Sequence, residues 1–267
     1  MGKIIYITGA SSKIGESLRI NLSKSSHRVI VLNRTRLKVD SNESFIKFTL
    51  GDSIEPVIGD YEHIIFHLAH DYYDRRSYKN SNTEGLKKII YNFRNVANKK
   101  IIFISTPDVL NNKTTIYTSQ KKISESLLDL HKDLIVRPSI IYSENGMNNL
   151  FKYLPKIGVP IPINKSRVAP MDVKKFSNEL LSYSLNKDSI GIILFTGSES
   201  ISFKEFLKKK YNITTFNLHN YLWLILVFLL RVTFIPKLFY LSERILGYIY
   251  LRDIKVLHER DIKRKYI

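Results

Sequence analysis

Lys3-Ile4-Ile5-Tyr6-Ile7-Thr8-Gly9-Ala10-Ser11-Ser12-Lys13-Ile14-Gly15 is the stretch that decides the fold. A short apolar run enters a glycine-bearing turn, and Glu16 to Leu22 then follows a helical pattern. Strand, turn and helix start in that order set a pyrophosphate against the backbone N–H groups of a helix N-terminus. A full turn of this kind carries three glycines; here Ser12 or Lys13 stands at the middle position, where a Cβ narrows the approach to phosphate. The hydroxyls of Ser11 and Ser12 offer donors in compensation, so the candidate contacts are Gly9, Ser11, Ser12, Lys13, Ile14 and Gly15. The opening run is too short for a signal peptide, and Tyr6 stands where a myristoylation motif needs Ser or Thr, so it reads as a first strand.

Working outward, His27 to Leu32 is a second strand and closes a βαβ unit. An acidic residue at its end would bond the adenosine ribose of NAD; the chain has Asn33-Arg34-Thr35-Arg36 instead. Arginine pairs with a 2′-phosphate, so the expectation is NADP(H) ahead of NAD, with Asn33 and Arg34 as contacts. Phe45 to Leu50 reads as a third strand, with Asp52 beyond it placed to meet the adenine. Glu62 to His70 contains a fourth strand, Asn82 to Ala97 is helical in pattern, and Lys100 to Ile104 is a buried fifth strand running into Ser105-Thr106. His63, His67 and His70 lack a carboxylate or cysteine at ligand spacing, so they read as structural and no metal site is expected. The alternation specifies an α/β, Rossmann-type doubly wound parallel sheet, whose crevice beyond the strand C-termini gathers Gly9, Ala69, Thr106 and Tyr117.

Tyr117-Thr118-Ser119-Gln120-Lys121 supplies the chemistry. A tyrosine and a lysine four apart share one helix face, and the ammonium favours the ionised phenol. Thr106 brings a hydroxyl from a strand end to hold a substrate oxygen against that phenol, which moves a proton while a cofactor moves a hydride.

These motifs together resemble the extended short-chain dehydrogenase/reductase superfamily, in particular its sugar-nucleotide epimerase, dehydratase and reductase group, from Lys3 to about Phe206. His67-Leu68-Ala69 is similar to the family's fourth-strand motif, Asn82-x-x-Gly85 to its helix motif, and Arg137-Pro138-Ser139-Ile140-Ile141-Tyr142 to a later strand. Pro170 to Leu180 resembles a strand-to-helix segment that normally carries an acid, here Lys175. The resemblance implies Tyr117 as general acid/base, Lys121 on the nicotinamide ribose, Thr106 orienting the substrate oxygen and Asn82 supporting them. It also implies Leu68 and Ala69 as cofactor contacts, and Ser139, Lys165 and Arg167 as contacts of a nucleotide-diphosphate sugar. Dehydratases of the group have Asp-Glu after the threonine; Pro107-Asp108 stands here, and proline cannot protonate a leaving hydroxyl. Ketoreductases of the group use exchangeable NADPH, which Asn33-Arg34 favours, so the expectation is C4 ketoreduction ahead of C4 epimerisation; the alternative is a dinucleotide-binding regulatory or scaffold protein without turnover.

The chain has 267 residues, 44% of them hydrophobic, enough for a full core plus a small lobe. The core is assigned to residues 1–142 and the substrate lobe mainly to 143–267, with 168–197 returning to the sheet, Ile192 to Phe195 as a strand and Phe203 to Lys209 as a short helix. Pro155, Pro160 and Pro162 mark turns. A cysteine-free chain has no disulfide and suits a cytoplasmic setting. The net charge of +18 is scattered in short groups without a nucleic-acid-binding motif, so no nucleic-acid partner is expected. Residues 221–241 open with ten apolar residues, fewer than the roughly 20 a span needs. They read as core packing, a homodimer contact, or a peripheral contact at the inner face of a membrane.

Overall fold

The computed structural model describes residues 2–111, 113–143, 158–233 and 235–250. The chain forms two compact units, one of Met1–Ser105, Gln120–Arg137 and Val173–Ile193, the other of Thr106–Ser119, Pro138–Asp172 and Leu194–Ile267.

The strands β1 (Ile4–Thr8), β2 (Arg28–Asn33), β3 (Glu43–Lys47), β4 (His63–His67), β5 (Lys99–Ile104), β6 (Leu134–Pro138) and β7 (Gly191–Phe195) form one sheet in the order β7-β6-β5-β4-β1-β2-β3. The pairings from β3 through β6 are parallel. Every residue of β1 and β4 is buried, as a parallel sheet covered on both faces requires, and their apolar runs do not alternate for that reason. The strand order reverses between β1 and β4, where Thr8 pairs in register with His67. Gly9 and Leu68 therefore leave the sheet side by side, at the switch point where open α/β sheets bind ligands.

Helices α1 (Lys13–Leu22), α2 (Ser81–Asn92) and α4 (Val173–Leu185) belong to this unit, and α3 (Ile116–Glu125) enters it from Gln120 onward. Arg19 of α1 grips Glu43 of β3 with two hydrogen bonds of 2.8 and 2.6 Å, and Arg137 of β6 grips Glu125 of α3 with two of 3.0 and 2.7 Å. On one side of the sheet Tyr6, Ile65, Leu86, Phe93 and Ile101 share one core cluster. Tyr6 keeps its hydroxyl satisfied there by the Val57 N–H at 2.9 Å. His63 stacks on Tyr6 with ring centroids 5.9 Å apart.

Three boundaries differ from the sequence reading. The third strand is Glu43–Lys47, because the chain leaves the ladder at Phe48, whose N–H turns back to the Asn33 carbonyl. Helix α2 ends at Asn92, because Phe93 drops into the core. Pro160 and Pro162 lie in a strand, Val159–Pro162, paired among the described residues with Thr215–Leu218 alone, so that the missing N–H groups fall on the side away from that partner. Pro155 lies outside the described residues.

The second unit has its own cluster of Val159, Ile161, Ile201, Phe206, Leu207 and Ile213. Helix α5 (Phe203–Tyr211) starts in a capping box of Ser202 and Glu205 and stops at Asn212, which takes the left-handed conformation. Helices α6 (Asn220–Val232) and α7 (Pro236–Ile249) follow. Among the described residues no helix is long and apolar enough to cross a membrane.

Candidate active site

The glycine turn is built from the first unit alone. Gly9 has φ +66°, and a Cβ there would lie 2.8 Å from the Ala69 nitrogen. At Gly15 a Cβ would lie 2.7 Å from both the Ala10 Cα and the Gly9 oxygen, so α1 closes on the turn only with glycine at that position. Ser12, at the place of the middle glycine, caps α1 by accepting the Gly15 N–H at 3.1 Å. Ser11, Ser12 and Lys13 remain exposed, with Lys13 salt-bridged to Glu16, and Ile14 is half-buried. The Ser11 hydroxyl donates to Asn33 Oδ1 at 2.9 Å, tying the turn to the end of β2. Asn33 in turn donates to the Thr35 carbonyl at 2.9 Å.

Thr8 was not singled out in the sequence and holds the switch point together. Its Oγ1 accepts the N–H groups of Leu68 and Ala69, each at 3.2 Å, and lies 3.0 Å from His67 Nδ1. With both lone pairs engaged, the hydroxyl donates its hydrogen to Nδ1, which puts the imidazole proton on Nε2. Burial holds the His67 pKa down at about 3, and the Lys121 charge acts in the same direction. His67 is thus a neutral strut, stacked 5.9 Å from the Phe103 ring.

Helix α3 carries Tyr117 and Lys121 one turn apart, and the division between the units falls between them. In the first unit the Lys121 Nζ donates to the Ile104 carbonyl at 2.7 Å and lies 4.6 Å from the Phe103 ring centroid. Burial lowers its pKa to about 7, with Glu125 opposing the shift. The charge on Lys121 is therefore set by its surroundings, and an anion beside it restores the ammonium. Asn82 is buried in the first turn of α2, where Asn80 is the N-cap. Its Oδ1 accepts the Asp71 N–H at 2.6 Å, and its Nδ2 donates to Gln120 Oε1 at 3.0 Å. Gln120, a second residue missed in the sequence, also donates to the carbonyls of Asp74 and Arg76 and so pins the loop after β4 to α3.

In the second unit Thr106 caps a short 3-10 turn, Pro107–Leu110, and its hydroxyl bonds Asp108 Oδ2 at 3.2 Å. Burial raises the Asp108 pKa against the opposing hydrogen bonds of Thr106 and Asn111 and the charge of Arg244. Half-buried Tyr117 lies in the first turn of α3, whose leading N–H, that of Ile116, is accepted by Glu243 Oε2 of α7 at 2.7 Å. The two residues are 127 apart, and no local pattern announces the contact.

The remaining candidates are not gathered with these. Asp52 is exposed and closes its own turn by accepting the Thr49 N–H at 2.7 Å. The Ser139 N–H bonds the Phe195 carbonyl at 2.8 Å. Lys165 and Arg167 are exposed, and the Arg167 guanidinium is bonded to the Ser200 carbonyl. Among the described residues no group of His, Cys, Asp and Glu is arranged to hold a metal ion.

A dinucleotide fits what the first unit offers. Helix α1 presents an N-terminus rimmed by two hydroxyls and an ammonium, and the buried Ser105 hydroxyl at the end of β5 has no hydrogen-bond partner.

No protein-family model and no curated protein matches the chain. Solved structures do. The NAD-dependent NDP-hexosamine 5,6-dehydratase TunA of tunicamycin biosynthesis is 17% identical over 81% of this chain and 84% of its own, with a TM-score of 0.64. The Bordetella bronchiseptica enzyme WbmH, in complex with NAD+, is 16% identical over 82% and 86%, with a TM-score of 0.66. MoeE5, in complex with UDP-glucuronic acid and NAD, is 15% identical over 82% and 85%, with a TM-score of 0.64. The expected preference for NADP(H) is corrected by these structures, in which the dinucleotide is NAD+ or NAD. Exposed Arg34 attracts a 2′-phosphate without excluding an unphosphorylated ribose, and the Asn33 carboxamide is already bonded to Ser11 and Thr35. At this level of identity the likeness is one of architecture: the chain has the Rossmann-type fold of the NAD-dependent sugar-nucleotide dehydratases and epimerases.

Proposed function

We propose that this protein is a member of the extended short-chain dehydrogenase/reductase superfamily, an NAD-dependent oxidoreductase acting at C4 of a nucleotide-linked sugar. The observation that carries the reading is helix α3, which bears Tyr117 and Lys121 one turn apart while Lys121 is bonded to the last carbonyl of β5, two residues before Thr106. Ser11, Ser12, Lys13 and the N-terminus of α1 would hold the pyrophosphate, with Leu68 and Ala69 beside it. NAD would supply the hydride acceptor and donor. Tyr117 takes the proton of the sugar hydroxyl on oxidation and returns one on reduction, Lys121 favours the ionised phenol, and the Thr106 hydroxyl orients the sugar oxygen.

Bound sugar nucleotides in structures of this fold support the substrate class, UDP-glucuronic acid and UDP-glucose among them. Pro107 directly after Thr106 argues against water elimination, since it offers no proton to a leaving hydroxyl. Ketoreduction alone and full epimerisation share this machinery. The ordering that put ketoreduction first rested on the 2′-phosphate and carries no weight with NAD.

The test is turnover of NAD with UDP-glucose and related sugar nucleotides by the wild type and Tyr117→Phe. The substitution is expected to lower turnover by about 10² to 10⁴ with NAD binding unchanged. Inverted stereochemistry at C4 in the NMR spectrum of the product identifies an epimerase, and net consumption of NADH with a 4-keto sugar identifies a reductase. Equal turnover in Tyr117→Phe would overturn the mechanism. NAD binding without turnover of any sugar nucleotide supports the dinucleotide-binding scaffold, a reading favoured by the Thr106 hydroxyl being bonded to Asp108.

A further inference from the structure

Helix α6 reads Asn-Tyr-Leu-Trp-Leu-Ile-Leu-Val-Phe-Leu-Leu-Arg-Val, and of its thirteen residues only Val227 is buried. At about 100° per residue, Asn220, Trp223, Val227 and Leu230 fall within one narrow side of the helix. The C-terminal end of α6 is joined to α7 by Arg231, which pairs with Glu243 and lies 5.8 Å from the Phe239 ring. From Leu224 through Phe228, Ile225 and Leu229 to Leu226 the surface is apolar over an arc of about 200°. These five side chains are between 38% and 65% exposed. A helix apolar over most of its circumference is not stable against water and is covered in the working state.

The shape and the charge of the surroundings select the cover. A partner helix fills a stripe of about 100°, so a second copy would leave half of this arc wet. A lipid phase wets all of it. At about 1.5 Å per residue the helix is some 20 Å long, shorter than the roughly 30 Å hydrocarbon core, so it lies in the interface instead of spanning. Between Phe203 and Tyr250 seven Lys or Arg stand against two carboxylates, Glu205, held in the capping box by Ser202, and Glu243, buried and paired with Arg231. This part of the chain therefore carries an excess of cations, which complements anionic headgroups.

We propose that α6 is an interfacial anchor that seats the second unit on an anionic phospholipid bilayer. The exposed side chains of Leu224, Ile225, Leu226, Phe228 and Leu229 enter the acyl boundary, and Lys237 with Lys208 meets the phosphates, Lys209 being paired with Glu199. The anchor acts independently of the reaction proposed above.

The experiment is flotation of the full chain with vesicles of phosphatidylcholine alone and with about 30% phosphatidylglycerol. Expected are flotation with the anionic vesicles and its weakening in about 0.5 M salt. The double substitution Phe228→Asp with Leu229→Asp, at exposed positions, is expected to weaken binding at least about tenfold with an unchanged thermal melt. Absence of flotation, or equal flotation without phosphatidylglycerol, overturns the proposal. So does a dimer in sedimentation velocity that the same double substitution dissociates, since that result gives the face to a second copy.

Discussion

Strand β1 and helix α6 are both apolar runs, and the molecule treats them in opposite ways. All five residues of β1 are buried, whereas eight of the thirteen residues of α6 are large hydrophobics more than a third exposed. Hydrophobicity in a sequence states that a segment must leave water; it does not state what will cover it. The sheet covers β1 with neighbours from the same chain, β2 on one side and β4 on the other. Among the described residues no element surrounds α6 in that way, which is why its composition points outward.

The sharpest way to break the comparison is to remove equal amounts of apolar side chain from both. Ile5→Ala, at a fully buried position, is expected to cost about 2–5 kcal/mol, while Leu229→Ala, 53% exposed, changes stability by less than about 0.5 kcal/mol. Urea unfolding of the two variants checks this, and equal losses would show α6 to be buried in the isolated protein.

A smaller effect is expected where α7 meets α3. Glu243→Leu removes the acceptor of the Ile116 N–H and the partner of Arg231, and is expected to cost about 1–3 kcal/mol. Glu243→Gln keeps an acceptor and is expected to cost less than half as much. Both are read from thermal melts, and a matching order in turnover would show that α7 positions the turn carrying Tyr117.

A third effect is a pH slope. The folded-state pKa of Lys121 is lowered from 10.5 to about 7, so the folded state disfavours the ammonium relative to the unfolded chain. The resulting penalty is full below pH 7 and is relieved as the pH rises from about 7 to 10.5. Lys121→Met removes it and is expected to gain stability at pH 7 relative to the wild type, with the advantage shrinking by pH 9.5. Urea midpoints at the two pH values measure the difference, and parallel pH profiles would show that Lys121 is charged when folded.

The sequence by itself determined the doubly wound sheet. Its strands are buried on both faces and so appear as continuous apolar runs, and its glycine turn is a local motif whose glycines are required by contacts with Ala10 and Ala69. It also determined that Tyr117 and Lys121 share a helix, because a spacing of four is a property of the helix itself. Strand ends were legible only to within a few residues, since Phe48 and Leu50 continue an apolar alternation after the ladder has ended. Only the tertiary structure decided that Thr8 bonds His67, Leu68 and Ala69 across about 60 residues, that Gln120 secures Asn82, and that Glu243 caps α3 from 127 residues away. Each of these is a single polar contact between segments distant in the chain. Such contacts leave no periodicity in the sequence, and they exist only once the apolar runs have packed and brought their ends together.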